Sequence, residues 1–84
     1  MDNNQEFRGK KLLVLGGITL ACDIVRHAQA MGVYVVVADY DRNSPAKKIA
    51  DKAVLIDALD VDAIVELCKL ENIDGVTTGF VDIL

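Results

Sequence analysis

Lys11-Leu12-Leu13-Val14-Leu15-Gly16-Gly17 and Gly32-Val33-Tyr34-Val35-Val36-Val37-Ala38-Asp39 are the two stretches that decide the fold. Each is a short aliphatic run bounded by glycine, or by glycine and aspartate. Neither shows the alternation of apolar and polar residues that marks a strand with one wet face. Such runs predict parallel strands covered on both sides. Between them, Thr19 can cap a helix whose apolar residues Leu20, Ile24, Val25, Ala28 and Met31 recur one turn apart. Asp23, Arg26 and Gln29 fall mostly on its other side, and Gly32 stands where a left-handed C-terminal cap is wanted.

The same alternation continues outward. After the polar loop Tyr40 to Asn43, Ser44-Pro45 predicts a cap and a first helical residue, opening a short helix to about Asp51. Ala53 to Ile56 predicts a third strand. Asp60 then caps a further helix that turns Val61, Ile64, Leu67 and Cys68 inward and ends at Asn72. Gly75 to Thr78 predicts a fourth strand, followed by Gly79. Strand and helix in strict alternation imply an α/β domain, a parallel sheet of about four strands with helices on both faces. Right-handed crossovers favour the strand order 3-2-1-4. Ligands on such sheets bind beyond the carboxyl ends of the strands, at the point where the winding reverses. That rule gathers Gly16 to Leu20, Asp39 to Arg42, Asp57 and Thr78-Gly79 around one crevice.

The bulk properties fit one small domain. A chain of 84 residues buries only ~60–65% of its unfolded surface, which leaves a thin stability margin. Hydrophobic residues make up 52% and aromatic ones only 5%, so the core must be aliphatic. The net charge of −4 and the absence of a basic stripe argue against nucleic acid, whose affinity rests on phosphate contacts. No apolar run approaches the ~20 residues a membrane span needs. The polar N-terminus carries no secretory signal, so a cytoplasmic location is expected. Residues 1–10 are expected to be a disordered leader, with the domain occupying 11–84. Phe80 to Leu84 is an apolar stretch that begins a fourth helix, and predicts a truncated fragment of a longer sheet. The open sheet edges and that stretch would allow a homodimer.

Few residues promise chemistry. Small residues at Gly16-Gly17 let backbone N–H groups approach an anion at a helix N-terminus, or simply make a tight turn. The turn does not match the dinucleotide fingerprint, because Ile18 and Ala21 stand where its second and third glycines would be. Asp39 lies about 20 residues beyond the turn, where a ribose-binding acid would sit. It serves equally well as a strand-end carboxylate capping its own loop. Lys47 and Lys48 read as a solvated face, and His27 as a surface partner of Asp23 four residues earlier. Cys22 and Cys68 have no His or Cys at ligand spacing and read as apolar filler. No catalytic residue and no metal site emerges. A nucleotide-binding or regulatory module that takes NAD, and a non-catalytic interaction domain, are alternatives the residues leave open.

The order of these pieces resembles a known family. Lys11 to Gly17, Gly32 to Asp39, Ser44-Pro45-Ala46-Lys47-Lys48-Ile49-Ala50-Asp51, Asp57-Ala58-Leu59-Asp60 and Ile73-Asp74-Gly75-Val76 are similar to the Rossmann-like domain that precedes the ATP-grasp fold in carboxylate–amine ligases. The nearest look-alikes are purine-pathway and carbamoyl-phosphate-synthase-like members. The resemblance implies a substrate-side domain that is inactive alone, in a parent enzyme that makes an acyl phosphate with ATP and passes the acyl group to an amine. It implies that Gly16, Gly17, Ile18, Thr19 and Leu20 line the site of a small-molecule acceptor. Thr78 and Gly79 would sit opposite, with Asp39 and Asp41 bordering the crevice. No cofactor is implied for this stretch itself. ATP and magnesium would bind in a downstream ATP-grasp domain, in the same chain or from a split gene. Purine members carry a Gly-x-Gly-Gln/Glu-Leu-Gly loop. Here only Leu20 of the last four places matches, since Ile18, Thr19 and Ala21 replace the others. The resemblance therefore leaves the acceptor unnamed.

Overall fold

The computed structural model describes residues 7–16, 19–57 and 59–78, with the Leu20 side chain left out. Its elements run β1 (Lys11–Leu15), α1 (Thr19–Ala30), β2 (Tyr34–Asp39), α2 (Pro45–Ile49), β3 (Lys52–Leu55), α3 (Val61–Glu71) and β4 (Gly75–Thr78). The four strands form one sheet in the order β3-β2-β1-β4, and every pairing is parallel. The expected order and fold class are therefore met. Among the described residues, no helix is long and apolar enough to cross a membrane. The expected helical start at Phe80 to Leu84 lies outside the described residues. Residues 7–9, expected in the leader, form a turn in which the Lys10 N–H donates to the Phe7 carbonyl at 3.0 Å.

The pleat divides the sheet's side chains between two cores. Val14, Val35 and Val37 pack with Ala21, Cys22, Val25 and Ala28 of α1 and Ala46 of α2. Leu13, Val36 and Ala38 point the other way and meet Leu67 of α3. Helices thus cover both faces, α1 and α2 on one and α3 on the other. This double burial is why β1 and β2 are continuously apolar.

Local signals close the elements. Gly32 (φ 86°) ends α1: the Val33 N–H reaches the Ala28 carbonyl and the Gly32 N–H the Gln29 carbonyl. Asn72 (φ 56°) ends α3 in the same way, with Ile73 bonded to Cys68 and Asn72 to Lys69. Both are left-handed C-terminal caps that satisfy otherwise orphaned carbonyls. Asp60 caps α3 by accepting from the Ala63 N–H at 3.1 Å.

Several expectations need correcting. α2 stops at Ile49 rather than near Asp51, because Ala50 is already extended (ψ 155°). Asp51 is instead drawn to β2. Its N–H donates to the Val35 carbonyl at 3.0 Å, and its carboxylate accepts from the Val35 N–H at 2.8 Å. Asp74 binds Lys11 in the same two-handed way ahead of β4. Met31 and Val61 were expected to face inward; they are 38% and 67% exposed. Met31 follows the last helical residue, and Val61 opens α3 before the helix lies on the sheet. Cys22 is buried as expected, whereas Cys68 is only half-buried; both are free thiols.

Candidate functional site

The carboxyl ends of the strands bring most of the expected residues onto one edge. Leu15 pairs in register with Ala38 of β2 on one side and with Thr78 of β4 on the other. Asp39, Gly16 and Thr78 therefore stand side by side across three adjacent strand ends. Gly17, Ile18 and Gly79 lie outside the described residues.

Gly16 has φ 87°, a left-handed conformation that a side chain would strain. Its N–H donates to the Ala38 carbonyl at 2.8 Å. That amide prolongs the β1–β2 ladder, so the role of Gly16 is to turn the chain. Thr19 is the first residue of α1 rather than its cap, and it is exposed. The first-turn N–H groups of Thr19, Leu20 and Ala21 have no partner within the helix, and no acidic residue stands in that turn. Opposite, the Thr78 hydroxyl donates to the Leu15 carbonyl at 3.3 Å and ties β4 to the mouth of the turn. The crevice can thus offer helix N-terminal donors to an anionic or carbonyl oxygen.

Asp39 and Asp41 build the adjoining loop. Asp39 is only 8% exposed. One of its carboxylate oxygens accepts from the Asp41 N–H at 3.1 Å, the other from the Ser44 hydroxyl at 2.6 Å. Asp41 is exposed and accepts from the Asn43 N–H at 2.9 Å. Asp57 does the same for Leu59 in the β3–α3 connection. These carboxylates organise backbone turns.

Two residues here were misjudged from sequence. Ser44 precedes α2 but makes no side-chain cap. It is buried, and its hydroxyl, which donates to Asp39, also lies 2.9 Å from the Asp41 carbonyl. Lys47, taken for a solvated residue, is half-buried and donates from Nζ to the Asp39 carbonyl at 2.6 Å. The available signal was the closeness of Arg42, Lys47 and Lys48 just after a strand-end acid. Among the described residues, no three His, Cys, Asp or Glu side chains are grouped to hold a metal ion.

Comparison with known proteins agrees with this architecture. Residues 9–83 match the family described as the ribonucleotide synthetase preATP-grasp domain. The formate-dependent phosphoribosylglycinamide formyltransferase of Sulfurisphaera tokodaii is 41% identical over 69 residues, covering 82% of this chain and 17% of that protein. Among solved structures, an N5-carboxyaminoimidazole ribonucleotide synthetase in complex with ADP superposes with a TM-score of 0.78 at 31% identity, over 92% of this chain and 20% of that one. The Thermotoga maritima enzyme of the same name gives 0.74 at 33%, over 82% and 19%. The chain thus spans about a fifth or less of the relatives it matches. With its parallel β3-β2-β1-β4 sheet and a match over nearly its whole length, this chain belongs to the ribonucleotide synthetase preATP-grasp domain family.

Proposed function

We propose that this chain is the acceptor-side N-terminal domain of an ATP-dependent ligase, and that it works only when joined to an ATP-grasp domain. The observation that carries the reading is the family match over residues 9–83, in relatives of which the matched stretch is only 17–20%. The parent reaction would use ATP to convert a carboxylate into an acyl phosphate. The acceptor amine would then attack the acyl carbon and release phosphate. ATP and magnesium would be held by the downstream domain. Gly16, Gly17, Ile18, Thr19 and Leu20 would line one side of the acceptor site and Thr78 and Gly79 the other, with Asp39 and Asp41 shaping its rim.

The bonding of Asp39 favours this reading over a dinucleotide site. Both of its carboxylate oxygens are engaged by the loop, and the residue is buried. A ribose hydroxyl would have to reach a carboxylate that is only 8% exposed and already oriented by the loop.

The test is to sequence the locus beyond the codon for Leu84. An ATP-grasp domain, in frame or encoded by the next gene, is expected. A hydride-transfer domain there would sink the proposal. The two parts together should then release ADP only when both a carboxylate and an amine acceptor are supplied. This chain with ATP alone should release none.

A further inference from the structure

A second feature lies on the β2–β3 side of the sheet, beyond the loop of Asp39 and Asp41 that borders the crevice. Arg42 from the loop after β2, with Lys47 and Lys48 from α2, lines a cavity of about 340 Å³. Its remaining wall is Ala53, Val54 and Leu55 of β3. The whole chain is acidic, with thirteen Asp and Glu against nine Lys and Arg. Three of those nine bases border this one cavity, and among the described residues no acid lines it.

A cleft lined by charges of one sign raises the local concentration of counter-ions. The arrangement is also partly fixed. The Lys47 ammonium is held by the Asp39 carbonyl at 2.6 Å, a bond that uses one of its three donors. Asp39 and Asp41, the acids of the adjoining loop, direct carboxylate oxygens to the loop's own N–H and hydroxyl groups. Arg42 and Lys48 are exposed and can turn toward a ligand. Arginine offers a planar fork that matches phosphate oxygens, and lysine a compact charge beside it. Leu55 is 54% exposed and adds an apolar surface. The cavity is open to solvent on one side, so a small molecule could rest in it without being enclosed.

We propose that this cavity binds a phosphorylated small molecule. Arg42, Lys47 and Lys48 would hold the phosphoryl group, and the apolar part would rest on Ala53 and Leu55. The proposal stands independently of the ligase reading, since it uses neither the glycine turn nor a downstream domain.

The test is a titration of the 84-residue chain with inorganic phosphate and with phenyl phosphate, followed by amide chemical shifts. Sodium chloride at matched ionic strength is the control. Saturable shifts at residues 42–48 and 53–55 are expected, with phenyl phosphate binding more tightly than inorganic phosphate. Arg42→Ala and Lys48→Ala should each weaken phenyl phosphate about tenfold, the loss expected for one hydrogen bond to a charged group. Lys48→Arg should restore the affinity. Both alanine variants alter exposed side chains, so their melting temperatures without ligand should match that of the parent. Shifts reproduced by sodium chloride would overturn the proposal. So would unchanged affinity in both alanine variants, or shifts confined to the turn at Gly16 and Thr19. None of these results bears on whether an ATP-grasp domain follows.

Discussion

The two faces of the sheet are unequal. On the α1–α2 face, Val14, Ala21, Val25, Val35, Val37 and Ala46 are completely buried. The α3 face has Leu13, Val36 and Ala38 from the strands, but only Leu67 is buried from its helix. Val61, Val65 and Leu70 of α3 are 67%, 45% and 73% exposed, and Val76 of the edge strand β4 is 50% exposed. A single helix that spans the crossover from one sheet edge to the other cannot cover the face beneath it. Two helices side by side can. Burial of a valine or leucine contributes about 1.5–3 kcal/mol, so most of the stability of this domain resides on the α1–α2 side.

The largest test of that contrast is a charge on each side. Val37→Asp places a carboxylate in the closed core, a cost that exceeds the ~5 kcal/mol typical of a small domain. The variant should show no cooperative melting by circular dichroism. Val76→Asp should fold and melt near the parent temperature. If both unfold, the faces are equally indispensable and the comparison fails.

Leu67→Ala is next. Removing the one buried anchor of α3 should cost about 2–3 kcal/mol. In native-state hydrogen exchange, amides of α3 should lose protection at low denaturant while those of α1 keep theirs. Loss of protection in both helices together would mean that the domain opens as one unit.

Ser44→Ala probes the loop that joins the closed face to the strand ends. It leaves the buried Asp39 carboxylate short of one donor and should cost about 1–3 kcal/mol in urea unfolding. A variant as stable as the parent would show that water replaces the hydroxyl.

The smallest effect belongs to the ion pair between Lys52 of β3 and Glu71 of α3, which fastens the open face. The hydrogen bond to Lys52 holds the Glu71 carboxyl below its ordinary value of 4.5, while the hydrogen bond to Glu71 holds Lys52 above 10.5. The Glu71 contribution is therefore present above pH 4.5 and fades as pH falls through its lowered value. The Lys52 contribution is present below pH 10.5 and fades as pH rises through its raised value. Glu71→Gln should melt slightly below the parent at pH 7 and level with it in strong acid. Added salt should narrow the gap, because exposed pairs are screened. A difference that persists in acid would point to packing rather than charge.

Much of this could be foreseen from local patterns. The aliphatic runs at Leu12 to Leu15 and Val35 to Ala38 identified the central strands, because double burial excludes polar residues from them. Gly32 and Asn72 marked helix ends, because each has the backbone freedom a left-handed cap requires. The candidate crevice followed from strand order, since the carboxyl ends of parallel strands all lie on one side. Its side-chain bonds did not follow. Asp39 suited a ribose or a loop equally well until Ser44 was found against it.

By itself, the sequence of this protein determined the element types, the parallel order and which residues gather at the carboxyl edge of the sheet. These depend on periodicity, backbone freedom and crossover handedness, which are properties of neighbouring residues. Only the tertiary structure decided that Asp51 and Asp74 reach Val35 and Lys11. It alone decided that Lys47 bonds the Asp39 carbonyl and that α3 leaves Val61 and Leu70 in water. Such contacts join residues distant along the chain or fix one side-chain orientation among several. A polar residue carries the same donors and acceptors whichever partner the fold brings to it.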